Sequence, residues 1–272
     1  MNFDDNLLEE ASILLEKESM LIKLDDISNS IIIGDTHGDY ISSEYLINKY
    51  INDNKIKYII FLGDYVDRGP QQLENIDFLL KMKIQFPNKL ILLRGNHEFL
   101  EANQNYGFYY EILKNFDKTV YEKYLELFSK ISIAFTASRP FKALGVHGGI
   151  PVDPSRKMIY TLNDINNISK NQTTFNPEDL ITQIIWNDPK ENISYAKASW
   201  RGAGYFFGKV AFKKFMEHNN LEFCFRSHEA FHDMRTFFND KLYSIFTCRF
   251  YGMDPNFLFI KSNGTIEPKS IN

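Results

Sequence analysis

The sequence predicts an α/β fold. Over the first half of the chain, short apolar runs that end in glycine or asparagine alternate with longer segments of helix-spaced Leu, Ile and aromatic residues. This alternation is typical of βαβ units with buried parallel strands. Hydrophobic residues make up 44% of the 272 residues, including 24 Phe and 15 Tyr, which is enough for a substantial core and argues against disorder.

The predicted helices begin near the N-terminus, where Leu7, Leu8, Ala11, Leu14 and Leu15 recur at helical spacing. Further helices are predicted in the segments DYISSEYLINKYIND, QQLENIDFLLKMKIQF and GFYYEILKNFDKTVYEKYLELFSKI. Charged residues separate the apolar positions in each of them, as expected for helices that cover a sheet with one face.

The predicted strands are the apolar runs, and the last third of the chain is richer in them. They lie in IIIGDTHGD, KYIIFLGDYVDRG, KLILLRGNHE, FKALGVHGGI, LEFCFRSHE, KLYSIFTCRFYG and NFLFIKSNG. Residues 151–200 are the least regular stretch. Trp186 and Trp200 indicate that this segment packs back against the domain and is not a flexible linker. We therefore expect one domain over residues 1–272.

Charge and composition exclude several classes of partner. A formal net charge of -4 shows no excess of basic residues for gripping nucleic acid. No apolar run approaches the ~20 residues of a membrane span. The N-terminus lacks the basic and apolar regions of a signal peptide, so we expect a cytoplasmic protein. Cys224 and Cys248 have no metal-type spacing, which predicts free thiols in or near the core.

Polar side chains with metal-binding chemistry follow the first five predicted strands. They are Asp35 and His37, Asp64, Asn96, His147, and His228. Ligands of open α/β sheets bind beyond the carboxyl ends of the strands, so these side chains are expected to converge on one site. A single Asp or His at a strand end is more often a turn former or a helix cap, but its recurrence after successive strands favours a metal site.

The donor set predicts which metals bind and how many. Nitrogen and oxygen donors without thiolate favour Zn, Mn or Fe. Because the candidate donors are too many for one tetrahedral ion, we expect two cations bridged by a carboxylate and a water or hydroxide, an arrangement suited to in-line displacement at phosphorus. Gly34 and Gly38 frame the first site loop, but the spacing matches neither glycine-rich nucleotide motif. We expect these glycines to let the backbone bend around a metal.

The segments GDTHG, GDYVDRG, RGNHE, HGG and RSHE together resemble the signature series of the metal-dependent phosphoprotein phosphatases, the calcineurin-type Ser/Thr phosphatases. Three further segments, NYGFYYE at 105–111, WNDP at 186–189 and RGAGYFFG at 201–208, resemble the same family. The resemblance implies the calcineurin-like metallophosphoesterase fold, an α/β (α+β) architecture with a central two-sheet β-sandwich flanked by helices.

The resemblance also implies a role for each metal-binding candidate. Asp35 and His37 would hold the first ion and Asp64 would bridge both, whereas the second ion would be held by Asn96, His147 and His228. His232 is an alternative to His228, which is preferred because it directly ends an apolar run. The implied cofactor is two metal ions per chain, manganese in vitro, with iron or zinc as alternatives.

The remaining implied roles concern substrate and proton transfer. His97 would be the general acid, and the Asp67 carboxylate would orient its ring and favour its protonated form. Arg68 and Arg201 would hold the phosphate oxygens, with Tyr251 overhanging the site. The implied reaction is direct attack of a metal-bridging hydroxide on a phosphate monoester.

Two other arginines, Arg94 and Arg226, precede ligand segments and are candidates for bracing the sheet edge. The resemblance is weaker in FTCRFYG, where Arg249 and Phe250 replace the family's proline and asparagine. The resemblance therefore implies nothing about sensitivity to toxins.

The expected function is that of a protein-serine/threonine phosphatase. The sequence does not decide whether the protein also hydrolyses phosphotyrosine. The implied partners are phosphorylated protein substrates, with no nucleic acid and no membrane, and the sequence names no regulatory subunit. One alternative is a hydrolase of small phosphorylated molecules such as dinucleoside polyphosphates. Another is a catalytically silent binding module, which would have lost at least one metal ligand.

Overall fold

Two β-sheets pack face to face at the centre of the computed structural model, which describes residues 3–271. Helices cover the outer face of each sheet. This arrangement confirms the predicted α/β class and the two-sheet sandwich. Within residues 3–271, no helix has both the length and the apolar character needed to cross a membrane.

Every predicted helical segment forms a helix, and the described residues contain further helices as well. The helices are α1 Asp5–Glu16, α2 Tyr40–Tyr50, α3 Gln72–Gln85, α4 Leu100–Tyr106, α5 Phe108–Asn115, α6 Lys118–Lys130, α7 Leu162–Asn166, α8 Leu180–Trp186 and α9 Lys209–His218. Four of them, α4, α7, α8 and α9, lie outside the predicted segments. The long predicted segment from Gly107 to Ile131 splits into α5 and α6. The split occurs at Asp117, whose Oδ1 accepts a hydrogen bond from the Val120 amide at 3.1 Å and so caps α6.

The strands include every predicted run and several more. They are β1 Leu21–Asp26, β2 Ser30–Ile33, β3 Ile59–Phe61, β4 Leu90–Leu92, β5 Ala134–Arg139, β6 Ala143–Val146, β7 Asp188–Pro189, β8 Ala196–Ala198, β9 Tyr205–Phe207, β10 Phe223–Arg226, β11 Arg235–Phe237, β12 Leu242–Ser244, β13 Asn256–Ile260 and β14 Ile266–Ser270. β7, β9 and β8 form a small third sheet.

The five-stranded sheet has the order β14-β13-β2-β3-β4, in which β2, β3 and β4 are parallel. Its central strands are apolar on both faces because both faces are covered. In β2, Ile31 and Ile33 pack against the helix layer, while Ile32 packs against the other sheet. β3 and β4 repeat the same alternation, which explains the continuous apolar runs of the sequence.

The six-stranded sheet has the order β1-β5-β6-β10-β12-β11. β6 and β10 are parallel, so their carboxyl ends lie at the same edge. The face toward the five-stranded sheet carries Phe135, Phe225 and Ile245, all fully buried. Each such side chain stabilises the fold by about 1.5–3 kcal/mol relative to an exposed one.

The irregular stretch at 151–200 is only partly packed. Trp186 ends α8 and lies against Phe175, with ring centroids 5.6 Å apart, as the prediction that this segment packs back against the domain requires. For Trp200 that prediction is wrong, because 77% of its surface is exposed. Cys224 and Cys248 are buried free thiols, as predicted.

Candidate active site

The site residues lie where strands of both sheets end. Asp35 follows β2, Asp64 follows β3 and Asn96 follows β4 in the five-stranded sheet, whereas His147 follows β6 and His228 follows β10 in the six-stranded sheet. Parallel strands bring these ends to a common edge, as the sequence predicts. The two sheets contribute ligand-type residues to one cluster.

Gly34 sits where the two sheets meet. A Cβ atom at this position would lie 2.2 Å from the carbonyl oxygen of Ile245, so only glycine fits. Its amide donates to Oγ1 of Thr247 at 2.9 Å. The sequence predicts a turn at this glycine, but its role is close backbone approach. Gly38, with a φ of +70°, does provide the predicted bend.

Asp64 is the central side chain of the cluster. Its Oδ2 lies 3.7 Å from Nε2 of His37 and 3.2 Å from Nε2 of His147, while Oδ1 accepts a hydrogen bond from the His97 amide at 2.9 Å. Burial alone would raise the pKa of Asp64, but the imidazoles of His147 and His97 hold that pKa well below its usual range. A single carboxylate therefore faces two histidines, as a bridging ligand must.

The rings of His37 and His147 are oriented for metal binding. Nδ1 of His37 donates to the carbonyl oxygen of Val66 at 3.0 Å, and Nδ1 of His147 donates to that of Leu62 at 3.0 Å. Because a carbonyl can only accept, Nε2 of the neutral ring carries the lone pair and faces the cluster.

Two further potential metal-ligand atoms lie close to the His147 ring. Its Nε2 lies 3.0 Å from Oδ1 of Asn96 and 3.3 Å from Nδ1 of His228. Burial lowers the pKa of His147, but the Asp64 carboxylate more than offsets this effect and raises it. Burial, with the charges of Arg201 and His147, holds the pKa of His228 well below its usual range, so that ring is neutral. The cluster attracts a cation at this position.

Asp35 supplies a further open donor. Its Oδ1 accepts from the His228 amide at 3.0 Å and from the Ser227 hydroxyl. Its Oδ2 is buried, has no hydrogen-bond donor among residues 3–271 and lies 3.6 Å from Nε2 of His37. An unpartnered buried carboxylate oxygen is costly, and a metal ion would satisfy it.

Two groups of ligand atoms share Asp64. In the first group, one donor atom of each residue lies within 4.8 Å of the other two; its members are His37, Asp64 and His97. The same holds for the second group, which consists of Asp64, His147 and His228. Nδ1 of His97 is held by Asp67, and the open oxygen next to His37 belongs to Asp35. With Asp35 in place of His97, the donor set fits two ions that share the Asp64 carboxylate. His232, the alternative to His228, is exposed and belongs to neither group.

Backbone strain is frequent among the site residues. Positive φ angles, rare outside glycine, occur at twelve non-glycine residues of the described chain, and five of them are His37, Asp64, Asp67, Arg68 and His228. Such conformations cost about 1–3 kcal/mol each and persist where the surroundings over-determine them. These five residues are all among the predicted site residues.

His97 and Asp67 form the predicted pair. Nδ1 of His97 lies 2.7 Å from Oδ2 of Asp67, whose Oδ1 accepts from the Phe108 amide at 2.8 Å. Burial lowers the pKa of His97, although the carboxylates of Asp64 and Asp67 act in the opposite direction. Asp67 thus favours the protonated ring, as predicted, but burial is the larger effect.

A cavity of about 430 Å³ opens over the cluster. Its lining includes His37, Asp64, Arg68, Asn96, His97, Arg201, His228 and Tyr251. The other predicted site residues, Asp35, Asp67 and His147, each contact a lining residue. The structure therefore brings every predicted site residue to one place.

The two predicted phosphate-binding arginines are braced within this lining. Nη1 of Arg68 donates to the hydroxyl oxygen of Tyr251 at 2.7 Å. Nε of Arg201 donates to Oδ2 of Asp188 at 2.8 Å. Arg68 also lies over the ring of Tyr106 at 4.6 Å and Arg201 over that of Trp200 at 5.1 Å, and each guanidinium still presents further N–H donors.

Glu98 and Asp188 support the site but were not predicted as site residues. Glu98 accepts the amides of Asp64, Tyr65 and Gly95 at 2.8–2.9 Å, so it joins the loops after β3 and β4. Its place directly after His97 in RGNHE was the available signal. Asp188 pairs with both Arg201 and Arg226. Its place in WNDP, a segment that resembles the family, was the available signal.

Arg94 and Arg226 brace the sheet edge, as the sequence predicts. Nη2 of Arg94 donates to the carbonyl oxygen of Glu98 at 2.8 Å. Arg226, also fully buried, donates to Asp188 at 2.8 Å and to the carbonyl oxygen of Gly148.

Comparison with known proteins identifies the family. Residues 29–231 match the model of the calcineurin-like phosphoesterase family. The chain is 33% identical to the "Probable serine/threonine-protein phosphatase" of Encephalitozoon cuniculi over 250 residues, which are 88% of this chain and 52% of that relative. It is 32% identical to a catalytic subunit of protein phosphatase 2A from Dictyostelium discoideum, over 81% of this chain and 68% of the relative.

The first of these relatives is thus about twice as long as the part that the chain matches. A solved structure, a serine/threonine phosphatase from Saccharomyces cerevisiae with similarity to human phosphatase PP5, superposes with a TM-score of 0.86 at 26% identity. The superposition covers 98% of this chain and 88% of that one. The resemblance and the fold predicted from the sequence are confirmed: the chain belongs to the calcineurin-like phosphoesterase family.

Proposed function

We propose that the protein is a metal-dependent protein phosphatase that hydrolyses phosphoserine and phosphothreonine monoesters. The observation that carries the proposal is the position of Asp64, whose Oδ2 faces the Nε2 atoms of both His37 and His147 on the floor of a cavity that also holds His97 and Arg68. The names of the relatives, which include serine/threonine phosphatases, support the same reaction.

Two ions would be held by the residues that the sequence singles out. Asp35, His37 and Asp64 would bind one, and Asp64, Asn96, His147 and His228 would bind the other. When bound, the ions lower the pKa of a bound water and neutralise phosphate charge. Because the donors are nitrogen and oxygen, manganese, iron and zinc all suit them.

Substrate phosphate would be held by Arg68 and Arg201 from above the cluster. The planar guanidinium offers paired donors to phosphate oxygens, and each of the two is already oriented by its neighbour. The oxygen of Tyr251 accepts from Arg68, so its own hydroxyl hydrogen remains to be donated to the substrate. This geometry positions the phosphoryl group in the cavity.

His97 would donate the proton to the departing serine or threonine oxygen. Asp67 occupies Nδ1, so Nε2 is the atom that faces the cavity, 3.4 Å from Nη2 of Arg68. Burial lowers the pKa of His97 and the carboxylates of Asp64 and Asp67 act in the opposite direction, so the negative charge of bound phosphate would add to their effect and favour protonation at Nε2.

The competing functions predict different substrates. A hydrolase of dinucleoside polyphosphates would cleave diadenosine tetraphosphate, and a silent binding module would cleave nothing. All of the expected ligand residues are present in the sequence, which favours an active enzyme. Phosphorylated proteins are the proposed partners, and a cytoplasmic location and single domain remain predictions from the sequence.

The test is turnover by protein reconstituted with Mn²⁺, measured on matched phosphoserine, phosphothreonine and phosphotyrosine peptides and on diadenosine tetraphosphate. Asp64→Asn serves as the inactive control. The proposal expects faster turnover of the phosphoserine and phosphothreonine peptides than of the other substrates. Preference for diadenosine tetraphosphate, or no hydrolysis of any substrate by protein with both ions bound, would overturn it.

A further inference from the structure

An ion pair ties the loop that carries Tyr251 to the start of α2. Arg249 donates from Nε to Oδ1 and Oδ2 of Asp39 at 3.0 and 3.1 Å, and from Nη2 to Oδ1 at 2.8 Å. The Arg249 amide donates to Oδ2 as well, at 3.1 Å. Four contacts on one fully buried carboxylate make a geometrically specific link.

The Asp39 end of this link is rigid. Asp39 is the N-cap of α2 and accepts from the amide of Ser42 at 3.1 Å and from its hydroxyl at 2.7 Å. It directly follows Gly38 in the loop that carries His37, so the anchor belongs to the cluster's own loop.

The Arg249 end is a short 3₁₀ turn, Arg249–Tyr251, which ends at Gly252 with a φ of +69°. Among the described residues, the only side-chain hydrogen bonds of the turn are those to Asp39 and the one between Tyr251 and Arg68. The ring of Tyr251 stacks on His37 with centroids 5.8 Å apart. It also packs edge-on against Phe246, with centroids 4.9 Å apart. The link at Arg249 is therefore the hydrogen-bonded contact that adds to this ring packing in placing the Tyr251 hydroxyl.

We propose that Arg249 and Asp39 are a positioning pair that holds Tyr251 over the cavity and, through it, fixes the guanidinium of Arg68. This inference rests on the proposed phosphatase function, since activity is the readout. Without the pair, the turn is held by the ring packing of Tyr251 on His37 and Phe246, so its hydroxyl and the hydrogen-bonded guanidinium of Arg68 hold the phosphoryl group less precisely. Arg249 lies in FTCRFYG, where it stands in place of the proline of the family that the sequence resembles.

The test compares Arg249→Ala and Arg249→Lys with a matched control. Lys57→Ala removes a surface ion pair with Asp26, 2.5 Å long, far along the chain from the turn. For Arg249→Ala, kcat/KM on a phosphopeptide should fall about ten-fold or more, since small misplacements near reacting groups are costly. Arg249→Lys should recover part of the loss, and Lys57→Ala should match wild type.

Asp39→Asn keeps an N-cap oxygen and removes the charge, so it should reproduce the loss in Arg249→Ala. Tyr251→Phe should lower kcat/KM in the wild-type background. It should add little to Arg249→Ala, because that variant already weakens the hydrogen bond between Tyr251 and Arg68. That lack of additivity is the readout that a purely structural role would not produce.

Wild-type kcat and KM in Arg249→Ala, with or without a lower melting temperature, would overturn the inference. Full additivity of Arg249→Ala and Tyr251→Phe would overturn it as well. Failure of the proposed function is distinguishable, because wild-type protein would then be inactive on every phosphopeptide.

Discussion

Asp67 holds the imidazole of His97 by a 2.7 Å contact to Nδ1, which leaves Nε2 alone to face the cavity. His97→Asn should therefore retain both metal ions and lose the proton donor. We expect kcat on a phosphoserine peptide to fall about 10²–10⁴-fold. The loss on para-nitrophenyl phosphate should be much smaller, because para-nitrophenolate leaves without a proton.

Turnover of both substrates by one preparation, with metal content measured alongside, checks this prediction. An equal loss on both substrates would show that His97 does not act as the general acid. Phe246→Leu, a change of an apolar residue in the same lining, is a control that should preserve the ratio of the two rates.

The position of His228 predicts a specific metal stoichiometry. His228 belongs to one of the two ligand groups, whereas His232, nearby in sequence, is exposed. Wild-type protein should bind two ions per chain, and His228→Ala should weaken binding of one of them. His232→Ala is the matched control and should bind two.

Elemental analysis after dialysis, with a chelator titration of activity, measures these outcomes. Loss of an ion in His232→Ala, or tight binding of both ions in His228→Ala, would contradict the ligand assignment. Because the ions bind only the folded chain, their removal should also lower the melting temperature.

Asp77 predicts a pH-dependent stability. It is half-buried and accepts a hydrogen bond from the Tyr124 hydroxyl at 2.6 Å, and burial raises its pKa to about 6. The folded-state pKa lies above the unfolded value, so the folded state favours the protonated Asp77 carboxyl. The stability that this preference contributes is complete below about pH 4 and is lost as the pH rises through about 6. Asp77→Asn, which keeps the acceptor oxygen, should raise the free energy of unfolding at pH 7.5 by about 1–3 kcal/mol.

Urea denaturation at pH 7.5 and at pH 5 tests this expectation, with the gain smaller at pH 5. Asp25→Asn is the control, because Asp25 is exposed and makes no side-chain hydrogen bond among the described residues. A destabilised Asp77→Asn at pH 7.5 would show that the carboxylate charge is not the unfavourable element.

The close packing at Gly34 leads us to expect that one substitution there lowers both the stability of the fold and the affinity for metal. An added Cβ would press on the Ile245 carbonyl, so Gly34→Ala should lower the free energy of unfolding by about 1–3 kcal/mol and also weaken metal binding. Gly264→Ala, at a φ of +83° in the β13–β14 hairpin, is a control that should destabilise without loss of metal. Wild-type metal content in Gly34→Ala would contradict the coupling.

The strands of the sandwich could be predicted because most are buried on both faces. β2, β3 and β4 are continuous apolar runs, and that pattern depends only on local sequence. β1 was not predicted, because it lies at the edge of its sheet and exposes Lys23 and Asp25 between its apolar positions. The helix boundary at Asp117 depends on a cap within a segment that is otherwise helical in pattern.

The cluster could be predicted because each ligand-type residue follows a strand end, which is a local signal. Its supporting contacts could not, because they join positions far apart in the chain. Arg249 contacts Asp39, and Arg201 contacts Asp188, only because the topology brings them together. Exposure of Trp200 likewise depends on where its loop lies.

The candidate ligands come from both halves of the sandwich: Asp64 leaves the five-stranded sheet, and His147 and His228 leave the six-stranded one. An ion held by all three would cross-link segments far apart in sequence and close long loops, much as a disulfide does. Both cysteines of this chain are buried free thiols. Bound metal would thus cross-link the two sheets, and part of its binding free energy would contribute to the free energy of folding.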